Sequence, residues 1–202
     1  MTAHTVPAHT DTLGGRLPLV DPAELTDDQK GLVDLLSNTL VAGVDSVGAQ
    51  ATTGDRRLIG PFNPALYSPA ISAKFVELQM FELMHTSLPE RVRQVVILAV
   101  GAVWRADYEL YAHSAAARAA GISAHAVTGL ANGDIPDQLS EHEKIAGHVA
   151  RQLSSTHRVD DALYHEAEKA FGKQGLVDMA ALIGAYHAVC TTLTLFEVPA
   201  PI

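Results

Sequence analysis

The chain has 202 residues, 48% of them hydrophobic and 18% charged, which fits one globular domain with a sizeable core. Its formal net charge of −9 argues against nucleic acid or an anionic membrane as a partner, because neither would be attracted electrostatically. The single cysteine, Cys190, excludes an intrachain disulfide and a C-x-x-C redox pair.

The N-terminal residues 1–18, which contain several Thr, Pro and Gly, predict a flexible arm before a single domain at 19–202. The first residues have neither the basic segment nor the apolar run of a secretory signal, so we expect a soluble, cytoplasmic protein. The apolar stretch 179–196 contains His187 and several hydroxyl groups. It therefore favours a buried helix or an oligomer interface over a membrane span.

Helix signals begin after the arm. Residues 26–29 have the form of a capping box and predict the start of a helix. Residues 42–62 show no periodicity and predict a long loop, of the kind that forms a lid or a pocket wall. Ser68 before Pro69 predicts the start of a helix that runs to about residue 84.

The second half of the chain continues in the same way. Residues 87–90 have the form of another capping box and predict the start of an apolar helix to about Trp104. An alanine-rich helix follows and ends at Gly121. Further helices are predicted from Ser123, from Ser140, from Asp160 or Asp161 to Gly172, and over about 174–196. No segment alternates with period two, so the sequence predicts an all-α fold.

The best candidate for chemistry is the pair Glu109 and His113. Residues four apart lie on the same helix face with Cβ atoms roughly 5–6 Å apart, so these side chains can meet. A His pKa that a neighbouring carboxylate can adjust suits proton transfer at neutral pH. The alternative is an ion pair on a solvated helix face. The apolar residues 95–104 and the neighbouring alanines favour a buried position, where a charged pair needs partners or a ligand.

Two more histidines, His85 and His187, are candidates for the same pocket or ordinary core residues. His113, Glu109 and His187 are ligand types for a metal, but no H-x-x-x-H spacing supports one, so we expect no metal. Cys190 is either a thiol nucleophile or a packed core residue. The sequence contains no fingerprint for a nucleotide cofactor, and we expect no cofactor.

Four segments together resemble the carboxymuconolactone decarboxylase family, which includes the alkyl hydroperoxidase D branch. They are 19–26, Gly60-Pro61-Phe62-Asn63-Pro64, 88–94 continuing through 104–109 to His113, and 196–199. The resemblance covers about residues 16–202. It implies an alkyl hydroperoxidase D-like bundle of about seven or eight helices. It also implies a homo-oligomer, a trimer or a hexamer, with the pocket near the subunit contacts.

The chain departs from the hydroperoxidase branch at the residues that carry redox chemistry. That branch has a C-x-x-C pair before the histidine, whereas Ala106 and Glu109 stand at those positions here. It also has a glutamate nineteen residues before the histidine, where this chain has Gln94. The resemblance therefore points to the non-redox, decarboxylase branch, which carries a glutamate four residues before its histidine.

This branch implies a lyase or isomerase that needs no cofactor and acts on a small ring-derived or lactone carboxylic acid. His113 is expected to act as the general acid, with Glu109 orienting it. The expected substrate-binding side chains are those of Gln94, Tyr108, Tyr111, Tyr186, His187 and His85. Two alternatives stay open: an oligomer that binds a small molecule without catalysis, and redox chemistry of the peroxidase type or through Cys190.

Overall fold

The computed structural model describes residues 12–201, and within that range the protein is helical with no β-strand. The prediction of an all-α fold is confirmed. Two short 3-10 helices, Thr12–Gly14 and Pro22–Glu24, precede the first α-helix. The α-helices are α1 Asp27–Ser37, α2 Leu40–Ser46, α3 Phe62–Ala65, α4 Pro69–His85, α5 Glu90–Trp104, α6 Asp107–Ala119, α7 Ala124–Ala131, α8 Glu141–Thr156 and α9 Asp161–Leu195.

Helix α5 lies at the centre of the bundle and packs against α6, α7, α8 and α9. Ten consecutive residues of α5, 92–101, are buried. A helix that is covered on every side has no solvated face, which explains why its sequence is apolar almost all round. Arg93 and Gln94 are the polar members of this buried run, so both need partners inside the protein.

Most of the predicted helix starts are confirmed. Thr26 and Ser140 each form a complete capping box, and the side chains of Ser123 and Asp160 cap α7 and α9. The capping box predicted at residues 87–90 is wrong. Ser87 donates its hydroxyl hydrogen to Oδ2 of Asp178 on α9, and α5 begins without a side-chain cap.

The last helix is a single element of 35 residues with a break inside it. Gly172 has φ 65° and ψ 178°, which separates the two helices that the sequence predicts. By length and composition alone α9 could cross a membrane, but this is weak evidence, since a core helix passes the same test. Buried residues of α9, including Met179, Leu182 and Cys190, belong to the main hydrophobic core.

The segment 42–62 is less irregular than the sequence predicts. Its first part belongs to α2, and Thr52 pairs with Leu58 in an isolated antiparallel bridge. Ala51 and Ile59 are buried almost completely. This segment therefore contributes core residues, in addition to forming one side of the site described below.

Most of the predicted N-terminal arm, residues 1–11, lies outside the described residues. The remainder contacts the other end of the chain: the backbone N–H of Arg16 donates to the carbonyl oxygen of Phe196 at 2.7 Å. Farther along, the carbonyl oxygen of Pro18 accepts from Nδ2 of Asn63, which is fully buried. These contacts bring both ends of the described chain to one side of the bundle.

Candidate active site

A cavity of about 570 Å³ lies among α4, α5, α6 and α9, and its wall is mainly apolar. The apolar wall includes side chains such as Phe62, Phe75, Met80 and Val189. Seven ionisable or amide side chains that line it are linked to one another by close contacts. They are Glu82, Glu90, Arg93, Gln94, Glu109, His113 and Tyr186.

Glu109 and His113 meet in this cavity as their spacing on α6 predicts. Oε1 of Glu109 lies 3.2 Å from Nε2 of His113, and the Glu109 residue is only 3% exposed. The alternative of an ion pair on a solvated face is therefore wrong. Apart from His113, Oε1 of Glu109 has no hydrogen-bond partner among the described residues. A carboxyl this deeply buried is costly to ionise, which marks it as a candidate for proton transfer.

Gln94 connects His113 to α5. Its Oε1 lies 2.9 Å from Nδ1 of His113, and its Nε2 donates to Oε1 of Glu90 at 2.7 Å. Gln94 stands where the redox branch has a glutamate. It contacts His113 as that position allows, but through an amide that carries no charge. The contact holds the imidazole ring from the side opposite Glu109.

Arg93 is the permanent cation among the described residues that line the cavity, and it is fully engaged. Its Nη2 donates to Oε2 of Glu82 at 2.7 Å, and its Nη1 donates to Oε2 of Glu90 at 2.8 Å. The guanidinium and the Glu82 carboxylate are both buried. Such a pair is held together because either charge alone would be costly in the interior. Arg93 therefore has little capacity left to neutralise a ligand.

Burial sets the protonation of the central pair. It raises the pKa of Glu109 to about 8, because the ionised carboxylate would lose its hydration. Burial, and secondarily the charge of Arg93, lowers the pKa of His113 well below its usual range. Both directions favour a neutral pair near pH 7, with the proton on the Glu109 carboxyl and the imidazole uncharged.

Tyr186 and His113 pack edge to face, with ring centroids 5.1 Å apart. Tyr186 lines the cavity, and within residues 12–201 its hydroxyl group makes no hydrogen bond. Burial raises its pKa above the usual range, so the hydroxyl keeps its hydrogen at neutral pH. It is a donor that a bound molecule can use.

The other two predicted tyrosines use their hydroxyl groups elsewhere. Tyr108 donates to the carbonyl oxygen of Gln50 at 2.7 Å, and the hydroxyl of Tyr111 accepts from the Gln50 backbone N–H at 3.0 Å. The Tyr108 ring still lines the cavity. Gly60 must be a glycine here, since its φ is 63° and a Cβ atom would lie 2.2 Å from that ring. The two tyrosines thus hold the loop after α2 against α6.

The remaining predicted site residues lie apart from the cavity. Nε2 of His187 is 2.8 Å from the Ser154 hydroxyl, and its ring packs edge to face against Trp104. His85 packs against Phe81. Neither histidine lines the cavity that contains His113. Within the described range, no three His, Cys, Asp or Glu side chains are grouped as they would be around a metal ion.

Sequence reasoning missed Glu82, Glu90 and Arg93 as members of the site. One signal was present: Arg93 is a charged residue just before the long apolar run of α5, where a charge requires a buried partner. Its main partner, Glu82, lies on α4, eleven residues earlier. Nothing in the sequence identifies that carboxylate among the others.

Residues 69–152 match the sequence profile of the Carboxymuconolactone decarboxylase family, the family that the sequence resembles. No curated protein matches the chain. Similar solved structures include an uncharacterized peroxidase-related protein from Ralstonia eutropha, described as an alkylhydroperoxidase AhpD core (15% identity, TM-score 0.72, 93% of each chain covered). Another is an uncharacterized peroxidase-related protein from Silicibacter sp. (15% identity, TM-score 0.67, 98% of this chain and 96% of that chain). A third is the debrominase Bmp8 in complex with 2,3,4-tribromopyrrole (15% identity, TM-score 0.64, 95% of this chain and 93% of that chain). At this identity the likeness shows a shared fold, the alkyl hydroperoxidase D-like helical bundle that the sequence predicts.

Proposed function

Because residues 69–152 match the profile of the carboxymuconolactone decarboxylase family, we propose that the protein is a carboxy-lyase that uses Glu109 and His113 as an acid–base pair. The observation that carries this proposal is the buried carboxyl group of Glu109, which lines the cavity and has its Oε1 3.2 Å from Nε2 of His113.

In the proposed reaction, Glu109, His113 and Tyr186 have the following roles. A substrate carboxylate leaves as carbon dioxide when its C–C bond breaks, and the electron pair moves into a conjugated carbonyl to give an enolate. The Tyr186 hydroxyl donates a hydrogen bond to the enolate oxygen. The carbon then takes the proton that Glu109 and His113 hold between them, and the pair recovers a proton from solvent after the product leaves. Relative to the sequence-based hypothesis, Glu109 becomes the proton donor and His113 its partner.

The charges that line the cavity restrict the substrate. Arg93 is already paired with Glu82 and Glu90, so a second carboxylate on the substrate would meet no free cation. A single carboxylate in an apolar cavity is favourable for decarboxylation, because its charge is poorly solvated before reaction and becomes dispersed as the bond breaks. We therefore propose a mainly apolar, ring-derived or lactone acid with one carboxylate.

We also propose that the protein forms a homo-oligomer, as the family resemblance implies. Helix α4 exposes the large apolar side chains Ile71, Leu78, Phe81 and Met84. A patch of this kind is typical of a protein–protein contact. The proposed partners are a small-molecule substrate and further copies of the chain, with no nucleic acid and no membrane, and the proposed location is the cytoplasm.

Redox chemistry through Cys190 is the less favoured alternative, although two structural neighbours are described as peroxidase-related. The Cys190 side chain is fully buried. Burial raises the pKa of its thiol far above the usual range, whereas the reactive form of cysteine is the thiolate. A thiol-blocking reagent should therefore leave the activity intact.

The test is carbon dioxide release from a panel of lactone and ring-derived acids with one carboxylate, with the dicarboxylate γ-carboxymuconolactone for comparison. We expect release from a monocarboxylate, and a rate about 10²–10⁴-fold lower for Glu109→Gln and His113→Gln, the usual contribution of acid–base groups. Binding of the acids without release by the unchanged protein would favour the alternative of a non-catalytic binding protein.

A further inference from the structure

We infer that Glu90 is a positioning residue that acts through Gln94 to fix the tautomer of His113. The inference concerns the same site and rests on the proposed function for its catalytic meaning. Its evidence is a continuous series of contacts: Glu90 to Gln94 at 2.7 Å, Gln94 to His113 at 2.9 Å, and His113 to Glu109 at 3.2 Å.

Glu90 determines which way the Gln94 amide points. An ionised carboxylate can only accept hydrogen bonds, so the NH₂ group of Gln94 must face Oε1 of Glu90. The opposite orientation would place the amide carbonyl oxygen against the carboxylate oxygen, where the two acceptors repel each other. The carbonyl oxygen of Gln94 is therefore directed at His113.

The orientation of Gln94 in turn determines where His113 carries its hydrogen. A carbonyl oxygen only accepts, so Nδ1 of His113 must be the protonated ring nitrogen that donates to it. In the neutral ring, Nε2 then has a free lone pair. This lone pair faces the carboxyl of Glu109, where it can receive a proton.

Glu90 is itself held in place. Its second carboxylate oxygen accepts from Nη1 of Arg93 at 2.8 Å, and Arg93 is anchored to Glu82 on α4. The charged and titratable groups around His113 are thus Glu109 on α6, Glu90 and Arg93 on α5, Glu82 on α4, and Tyr186 on α9. Of these, only Glu90 contacts Gln94 by a hydrogen bond.

The test is the ¹⁵N NMR spectrum of histidine-labelled protein without substrate near pH 7, with the His113 signals assigned through His113→Gln. We expect a protonated Nδ1 and an unprotonated Nε2 in the unchanged protein. Glu90→Gln supplies a side chain that also donates, so the Gln94 amide can rotate and a second tautomer of His113 should appear. Glu141→Gln is the matched control, since Glu141 also lies in the first turn of a helix and pairs with a residue three positions on.

An unchanged His113 spectrum in Glu90→Gln, or an imidazolium or an Nε2-protonated ring in the unchanged protein, would overturn the inference. If Glu90→Gln does not fold, Gln94→Leu removes the same acceptor and should also release the tautomer. Because the spectrum needs no substrate, it is independent of the lyase proposal. A tautomer that changes as expected, together with no carbon dioxide release from any acid tested, would retain the positioning role and reject the reaction.

Discussion

Oε1 of Glu109 and Nε2 of His113 lie 3.2 Å apart inside the bundle, while Nδ1 of the same imidazole lies 2.9 Å from Oε1 of Gln94. The histidine is thus held by an amide on one side and faces a carboxyl group on the other. Since burial favours the uncharged form of both Glu109 and His113, this arrangement stores one transferable proton without adding a further charge to the cavity.

The pH dependence of stability should reflect the shifted pKa values of Glu109 and His113. Between about pH 3, to which burial lowers the pKa of His113, and pH 4.5, the ordinary value for Glu, stability should rise with pH, because the unfolded His113 binds a proton that the folded one does not. Between pH 4.5 and 6.5 this rise is cancelled, because folded Glu109 keeps a proton that unfolded Glu109 has lost. From pH 6.5 to about 8 the folded state keeps the Glu109 proton that the unfolded state has lost. Stability should therefore fall there, by up to about 1.4 kcal/mol per pH unit.

Urea denaturation at a series of pH values measures this dependence. Glu109→Gln has no carboxyl to titrate, so its stability should decline less than that of the unchanged protein between pH 6.5 and 8. Equal slopes for the two proteins over this range would mean that the carboxyl of Glu109 is already ionised.

Removing single tyrosine hydroxyl groups should separate anchoring from ligand binding. Tyr108→Phe leaves the Gln50 carbonyl oxygen without its donor and should cost about 1–2 kcal/mol in unfolding free energy. Tyr186→Phe breaks no hydrogen bond within the described residues, so its unfolding free energy should stay within about 0.5 kcal/mol of that of the wild type. Its turnover should be reduced. Denaturation and kinetics on the same samples check both. A large loss of stability in Tyr186→Phe would mean that its hydroxyl has a structural partner.

The glycine beside Tyr108 should be sensitive to substitution. Gly60→Ala forces a left-handed residue to carry a Cβ atom that would lie 2.2 Å from the Tyr108 ring, so we expect a loss of about 2–4 kcal/mol. Gly48→Ala is the matched control in the same loop. Gly48 also has a positive φ, of 79°, but a Cβ atom there meets nothing within 4 Å, so only the backbone cost of about 1 kcal/mol should remain. Equal losses in the two variants would show that the ring does not restrict residue 60.

The buried ion pair between α4 and α5 should be necessary for folding stability. Arg93→Met leaves the buried Glu82 carboxylate without its cation and should cost about 3–5 kcal/mol in the free energy of unfolding. Lys74→Met, which removes an exposed partner of Glu77, should change stability little. A small effect of Arg93→Met would indicate that solvent reaches Glu82.

The sequence predicted the helices because capping residues and apolar periodicity are local signals, and it predicted the meeting of Glu109 and His113 because both lie on one helix. It did not predict how tyrosine hydroxyl groups are used. Tyr108 and Tyr111 bind the backbone of Gln50, about sixty positions earlier, and no local pattern shows such a contact. His187 similarly lies on an apolar helix, yet it faces Ser154 rather than the cavity.

The protonation of Glu109 is the central claim, and infrared spectroscopy measures it most directly. The difference spectrum between the unchanged protein and Glu109→Gln near pH 6.5 should contain the C=O stretch of a protonated carboxyl group. That band should disappear as the pH rises past about 8. A difference spectrum with only the bands of an ionised carboxylate at pH 6.5 would contradict the account, because Glu109 would then have no proton to transfer.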